Sequence, residues 1–145
     1  MADDELHLRI LVHVWAVAED SRHRVIRSVE ERSLCSHKEF RALQNIQTSI
    51  ENVTATELAR RMRCSKANIT YVVRPLMMRG WVTSEAAFGD ARAAILRLTD
   101  SGRGVYEDYR LALIRASNRH LEELDADEKQ RLVTIFKKIG ARGRG

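Results

Sequence analysis

The chain has 145 residues, 44% hydrophobic and 31% charged. That balance suits one globular domain, or one core with an appended assembly element, and excludes a disordered chain. Basic residues outnumber acidic ones by 25 to 20, a surplus of +5 that favours a polyanionic partner without naming it. The start, Met1-Ala2-Asp3-Asp4-Glu5, is acidic where a secretory leader would be basic. The longest apolar run, Ile10 to Ala18, is broken by His13 and is about half the roughly 20 residues of a membrane span. Two cysteines, Cys35 and Cys64, are too few for a disulfide-built domain. The expectation is a soluble cytoplasmic protein with no cofactor.

With one proline and seven glycines, the chain reads as mostly helical. Helices are expected at about 5–31, 37–48, 55–62, 66–79, 100–122 and 126–139. Three starts fit a capping box or its Asp variant: Ser36 with Glu39, Thr54 with Glu57, and Asp125 with Glu128. Ser65 and Thr99 read as simple N-caps. Between the fourth and fifth helices, Trp81-Val82-Thr83 and Ala94 to Leu98 are β-prone and flank a Gly89-Asp90 turn signal. The stretch reads as a hairpin whose turn is longer than the tight two-residue kind. Pro75 predicts a kink or early bend at 71–75, because proline inside a helix removes a hydrogen bond at a cost of about 3 kcal/mol.

Three short helices followed by a hairpin is the winged helix-turn-helix order. Leu58, Ala59 and Met62 can pack against Ile69, Val72, Val73 and Leu76 across the Arg63-Cys64-Ser65 turn. The first helix carries Leu6, Leu8, Ile10, Leu11, Val12, Val14, Trp15 and Val17, more apolar surface than one face can hold. A second copy of the chain is the economical cover, with the last helix taking part. Residues 1–35 and 103–145 are therefore read as a helical dimerisation region around a DNA-binding domain at 36–102. A monomer with a tight five-helix core is the alternative.

The fourth helix offers Lys66, Asn68, Thr70, Tyr71 and Arg74 to a DNA groove. Asn suits adenine, Arg suits guanine, and the Thr methyl suits thymine. Ser65 at the helix start suits a phosphate. Arg60 and Arg61 lie just upstream, and residues 57–79 hold six basic side chains against one acid, Glu57. At the hairpin tip, Arg92 suits a narrow minor groove, where the negative potential draws an arginine, and Asp90 two residues earlier is placed to hold its guanidinium or bridge to another Arg. Of the 25 basic residues 20 are Arg, which favours bidentate reading of DNA but also follows from a GC-rich genome.

From Val53 to Gly102 the sequence resembles the MarR (multiple-antibiotic-resistance regulator) family. The resemblance rests on Thr56-Glu57-Leu58-Ala59, Ser65 through Leu76, Gly80-Trp81-Val82, Asp90-Ala91-Arg92 and Leu98-Thr99-Asp100-Ser101-Gly102. The long flanking helices match the family's dimerisation elements. The resemblance implies a homodimeric winged helix-turn-helix regulator of a palindromic operator, usually a repressor released by a small-molecule effector. It places Ser65, Lys66, Asn68, Thr70 and Tyr71 in the major groove and Arg92 at the wing. An effector such as an aromatic acid or phenol would be met by Trp15, His37, Phe40 and Arg41. The wing departs from the family pattern: Ala91 stands where an arginine is frequent, and Ser84-Glu85-Ala86-Ala87 is poor in base.

Two other readings stay open. Arg60, Arg61, Arg63 and Lys66 surround Cys64 in sequence, which suits a thiol switch of the same fold. A winged helix can also dock proteins without reading DNA. No phosphate loop, nucleophile set or metal-ligand spacing points to an enzyme or a metal site.

Overall fold

A computed structural model describes the backbone of residues 2–87 and 90–141 and the side chains of residues 4–86 and 94–140. Helix α1 runs Ala2–Ser21, passes through a π-helical segment, Arg22–Ile26, and ends in the turn Arg27–Glu30. There follow α2 (His37–Gln47), β1 (Val53–Thr54), α3 (Ala55–Arg61), α4 (Lys66–Met78), β2 (Val82–Ala87), β3 (Asp90–Leu98), α5 (Asp100–His120) and α6 (Ala126–Ala141). The strands form one antiparallel sheet in the order β1-β3-β2. This is the mainly helical, winged helix-turn-helix architecture that the sequence pattern implies. Among the described residues no helix is long and apolar enough to cross a membrane.

Local chemistry explains where the helices start. Ser36 Oγ accepts the Glu39 amide while the Glu39 carboxylate accepts the Ser36 amide, a complete capping box. Asp125 and Glu128 make the same reciprocal pair at α6. Ser65 caps α4 through the Asn68 amide. Thr54 caps α3 through the Glu57 amide, but no return bond from the Glu57 carboxylate completes that box. The turn between α3 and α4 closes with the Cys64 amide on the Ala59 carbonyl at 3.0 Å, and Arg63 takes a left-handed φ of 52°. That position ordinarily favours glycine.

The core is made by one face of each element. Leu43 of α2, Leu58 of α3, Ile69 and Leu76 of α4, Val53 and Val82 are fully buried. Phe40 stacks with Tyr109 at 4.5 Å between ring centroids and with Tyr106 at 5.5 Å, which ties α2 to α5. The Leu-Thr-x-x-Gly run seats α5 on the end of α4. Thr99 Oγ1 donates to the Gly80 carbonyl and accepts the Gly102 amide, and the Thr99 amide donates to the Trp81 carbonyl. A Cβ at Gly102 would stand 2.0 Å from the Trp81 oxygen, so no other residue fits without movement.

Two expectations are corrected. The strand β1 lies outside the predicted elements; its two residues, paired Val53↔Leu96 and Thr54↔Ile95, are too few to show a period. Pairing of the hairpin runs further toward its tip than expected, to Ala87↔Asp90 with an irregularity at Ala86/Ala87, and Phe88 and Gly89 lie outside the described residues. The fourth helix continues through Pro75, with α4 one α-helix from Lys66 to Met78. Burial of Val72, Val73 and Leu76 on both sides of Pro75 holds the last turn in place, and the Pro75 carbonyl still accepts the Arg79 amide.

The flanking helices differ from this core. On α1, Leu6, Leu8, Ile10, Leu11, Val12, Trp15 and Val17 are exposed, and so are Leu132, Val133, Ile135, Phe136 and Ile139 on α6.

Candidate nucleic-acid interface

Helix α4 divides cleanly into two faces. Ile69, Val72, Val73 and Leu76 are buried, while Ser65, Lys66, Asn68, Thr70, Tyr71 and Arg74 are all exposed. Tyr71 is 80% exposed, a large aromatic standing free on the outer face. The Thr70 hydroxyl donates back to the Lys66 carbonyl at 3.0 Å, which turns its methyl group away from that bond. Ser65 Oγ satisfies the Asn68 amide, so the first amides of the helix are left to an outside acceptor.

The basic residues around this helix fall into two groups. Arg60 makes a bidentate pair with Glu57, Nε to Oε2 at 2.9 Å and Nη2 to Oε1 at 2.7 Å. Arg61 Nε donates to the same Oε1 at 2.6 Å, and its Nη1 donates to Ser49 Oγ at 2.9 Å. These bonds hold the Glu57 carboxyl well below its usual range, at about 2. Arg79 pairs with Glu39 at 3.1 Å and lies 4.8 Å over the Trp81 ring. Among the described residues Arg63, Lys66 and Arg74 have no such partner. Half of the basic cluster seen in the sequence is therefore already paired with carboxylates. The pairing signal was present: Glu57 is three and four residues before Arg60 and Arg61, the spacing at which helical side chains meet. The Arg79–Glu39 pair spans 40 positions and carries no such signal.

At the wing, Asp90 and Arg92 belong to the backbone of β3, and their side chains lie outside the described residues. Arg97 of the same strand donates to Glu85 at 2.9 Å and to Asn52 at 3.3 Å, which braces the wing against β2 and the β1 approach.

The four effector candidates differ in burial. Trp15 is exposed on α1, and Phe40 is buried in its stack with Tyr106 and Tyr109. His37 is half-buried, with Nδ1 3.4 Å from the Tyr109 hydroxyl and its amide on Glu30. Burial first, then the nearby Arg41, pushes the His37 imidazole below its ordinary pKa. Arg41 is exposed. A cavity of about 300 Å³ lies between the end of α1 and α5, and none of the four lines it. Tyr109 does, together with Arg32, Arg115, Arg119, Asp108 and Cys35. The Cys35 thiol is buried and pushed up to about 11, by burial first and by Glu39 second, so it stays protonated. Cys64 is half-buried in the helix-turn-helix turn.

The MarR family model matches residues 35–94. The transcriptional regulator AdcR of Streptococcus pneumoniae serotype 2 is 34% identical over 74 residues, 47% of this chain and 51% of that protein. The match thus spans about half the length of that curated relative. Among solved structures, the transcriptional regulator BldR of Sulfolobus solfataricus superposes with a TM-score of 0.82 at 21% identity, over 98% of this chain and 99% of its own. Apo MarR of E. coli superposes at 0.74 with 21% identity, over 91% of this chain and 96% of its own. Over residues 35–94 the chain is thus similar to the MarR family, and over nearly its whole length it shares the winged helix-turn-helix fold of these solved structures.

Proposed function

We propose that the protein is a homodimeric, sequence-specific DNA-binding transcriptional regulator, and a repressor by family habit. The observation that carries this reading is the outward face of α4. Lys66, Asn68, Thr70, Tyr71 and Arg74 stand exposed on a helix whose opposite face is locked into the core. A helix of that chemistry reads base edges in a major groove, with Ser65 and the helix N-terminus on a phosphate. Arg60 flanks it, Arg61 supports the α3 scaffold from a more inward position, and Asp90 and Arg92 would follow at the wing.

Residues 1–35 and 103–145 serve as the dimerisation region, and 36–102 as the DNA-binding domain. The support is the row of exposed apolar side chains on α1 and α6, continued on α5 by Leu111 and Ile114. A two-fold axis then sets two α4 helices about 34–36 Å apart, one turn of duplex DNA. The effector is read as an amphipathic anion seated in the α1–α5 cavity. Its lining holds three arginines against one carboxylate, together with the apolar Val29, Leu34 and Ala112. His37 would feel that ligand through Tyr109.

Selection of bound sequences from a random duplex pool at physiological salt tests the central reading. A palindrome with half-sites about one helical turn apart is expected. Absence of enrichment, with binding that vanishes as salt rises, would leave only generic charge and favour a protein-docking role.

A further inference from the structure

Glu57 is the only acid in the 57–79 cluster, and its carboxylate is fully engaged with arginines. At the third position of α2 and of α6, Glu39 and Glu128 turn back to cap their helix. Glu57 holds the same position of α3 but turns outward to Arg60 and Arg61. Its two partners are not equivalent. The Arg61 side chain is 25% exposed and is held a second time by Ser49, whereas the Arg60 side chain is 73% exposed and, among the described residues, held by Glu57 alone. Arg60 is the one that a phosphate could take.

We propose that Glu57 restrains the sequence-independent part of DNA affinity by holding Arg60 away from the phosphate backbone. The inference rests on the DNA-binding reading above. Phosphate contacts draw their strength from counterions released when a cation meets DNA. A guanidinium already neutralised by a carboxylate adds little to that release, and a phosphate must displace the carboxylate to engage it. Lys66, Arg63 and Arg74 then supply the electrostatic attraction in the wild-type protein. Glu57 is a positioning residue here, acting only through Arg60.

The test is the salt dependence of binding to a random-sequence duplex and to the selected operator, for wild type, Glu57→Gln, Arg60→Gln and the double variant. Freeing one arginine should steepen the slope of log K against log salt by about 0.9 per protomer. At 0.15 M salt that slope corresponds to about fivefold tighter binding per protomer, on both duplexes alike. The double variant should return to the wild-type slope, and Arg60→Gln alone should change it by less than half as much. Glu107→Gln frees Arg110 from an equivalent bidentate pair on α5 and adds the same charge remote from α4; it should leave the slope unchanged. An unchanged or shallower slope for Glu57→Gln overturns the proposal, and so does a gain that survives in the double variant. A full phosphate's worth of slope lost in Arg60→Gln alone overturns it too, independently of how Glu57→Gln folds. If wild type selects no sequence, the DNA-binding reading fails first and this inference with it.

Discussion

The winged segment and the helices around it satisfy their apolar residues in opposite ways. Between Phe40 and Tyr109, nearly every large apolar side chain that points inward on α2, α3, α4 and the sheet is buried within one chain. Along α1 and α6 most large apolar residues are exposed, although both helices are longer than any in the winged segment. The difference teaches that regular helix formation and burial are separate matters. Caps and propensity suffice to draw α6, but only a second surface can cover it. On the homodimer reading, such a chain divides its stability between an internal core and an assembly surface.

The largest effect should come from attacking the open side. Ile135→Asp combined with Phe136→Asp removes two apolar side chains from each protomer, each contributing about 1.5–3 kcal/mol when buried. The expected outcome is a halved mass by light scattering at micromolar concentration, with the far-UV helical signal largely kept. A mass that stays at two copies would place the interface elsewhere. Next comes the closed side. Leu58→Ala opens a cavity at a fully buried position and should cost about 2–5 kcal/mol in urea denaturation at fixed protomer concentration, while the wild-type subunit stoichiometry persists in native buffer. Together the two variants separate assembly from core.

Arg74→Ala touches neither surface, because the side chain is exposed and unpartnered among the described residues. It should leave stability within about 0.5 kcal/mol and lower affinity for the selected operator by about 1–3 kcal/mol, with relaxed preference at one base position. Equal losses on operator and random DNA would make Arg74 a phosphate contact. The smallest effect concerns the seam between the two regions. His37 is held below its ordinary value of 6.5, so the fold favours the neutral ring. Its contribution is whole above pH 6.5 and is lost as the pH falls below that value toward the depressed folded pKa. His37→Phe keeps a ring beside Phe40 and Tyr109 and should flatten the fall of Tm between pH 7 and 5. An unaltered pH profile would assign that fall to other groups.

Much of this architecture was legible in the residues. The six helices lie within a few residues of their expected spans because their signals are local: Ser36, Ser65, Thr99 and Asp125 at the starts, and Gly80 after α4. Local too is the two-faced pattern of α4, which separates Ile69 and Leu76 from Asn68 and Arg74. The family motif was readable without its reason. The reason, that Gly102 lies against the Trp81 backbone, concerns residues 21 positions apart and needs the fold.

What the sequence by itself determined, then, is the order of helices and hairpin, the inward face of each and the total charge between 57 and 79. These follow from short-range sterics, hydrogen bonding and side-chain period. Tertiary structure alone decided which cations stay free. It joined Arg79 to Glu39, drew Ser49 onto Arg61, and left Lys66, Arg63 and Arg74 without a carboxylate partner among the described residues. It also decided that Phe40 is core and that a cavity opens beside Arg115 and Arg119. Composition counts charges wherever they stand, whereas an ion pair depends on two side chains meeting in space, and only the packing of the elements brings distant ones together.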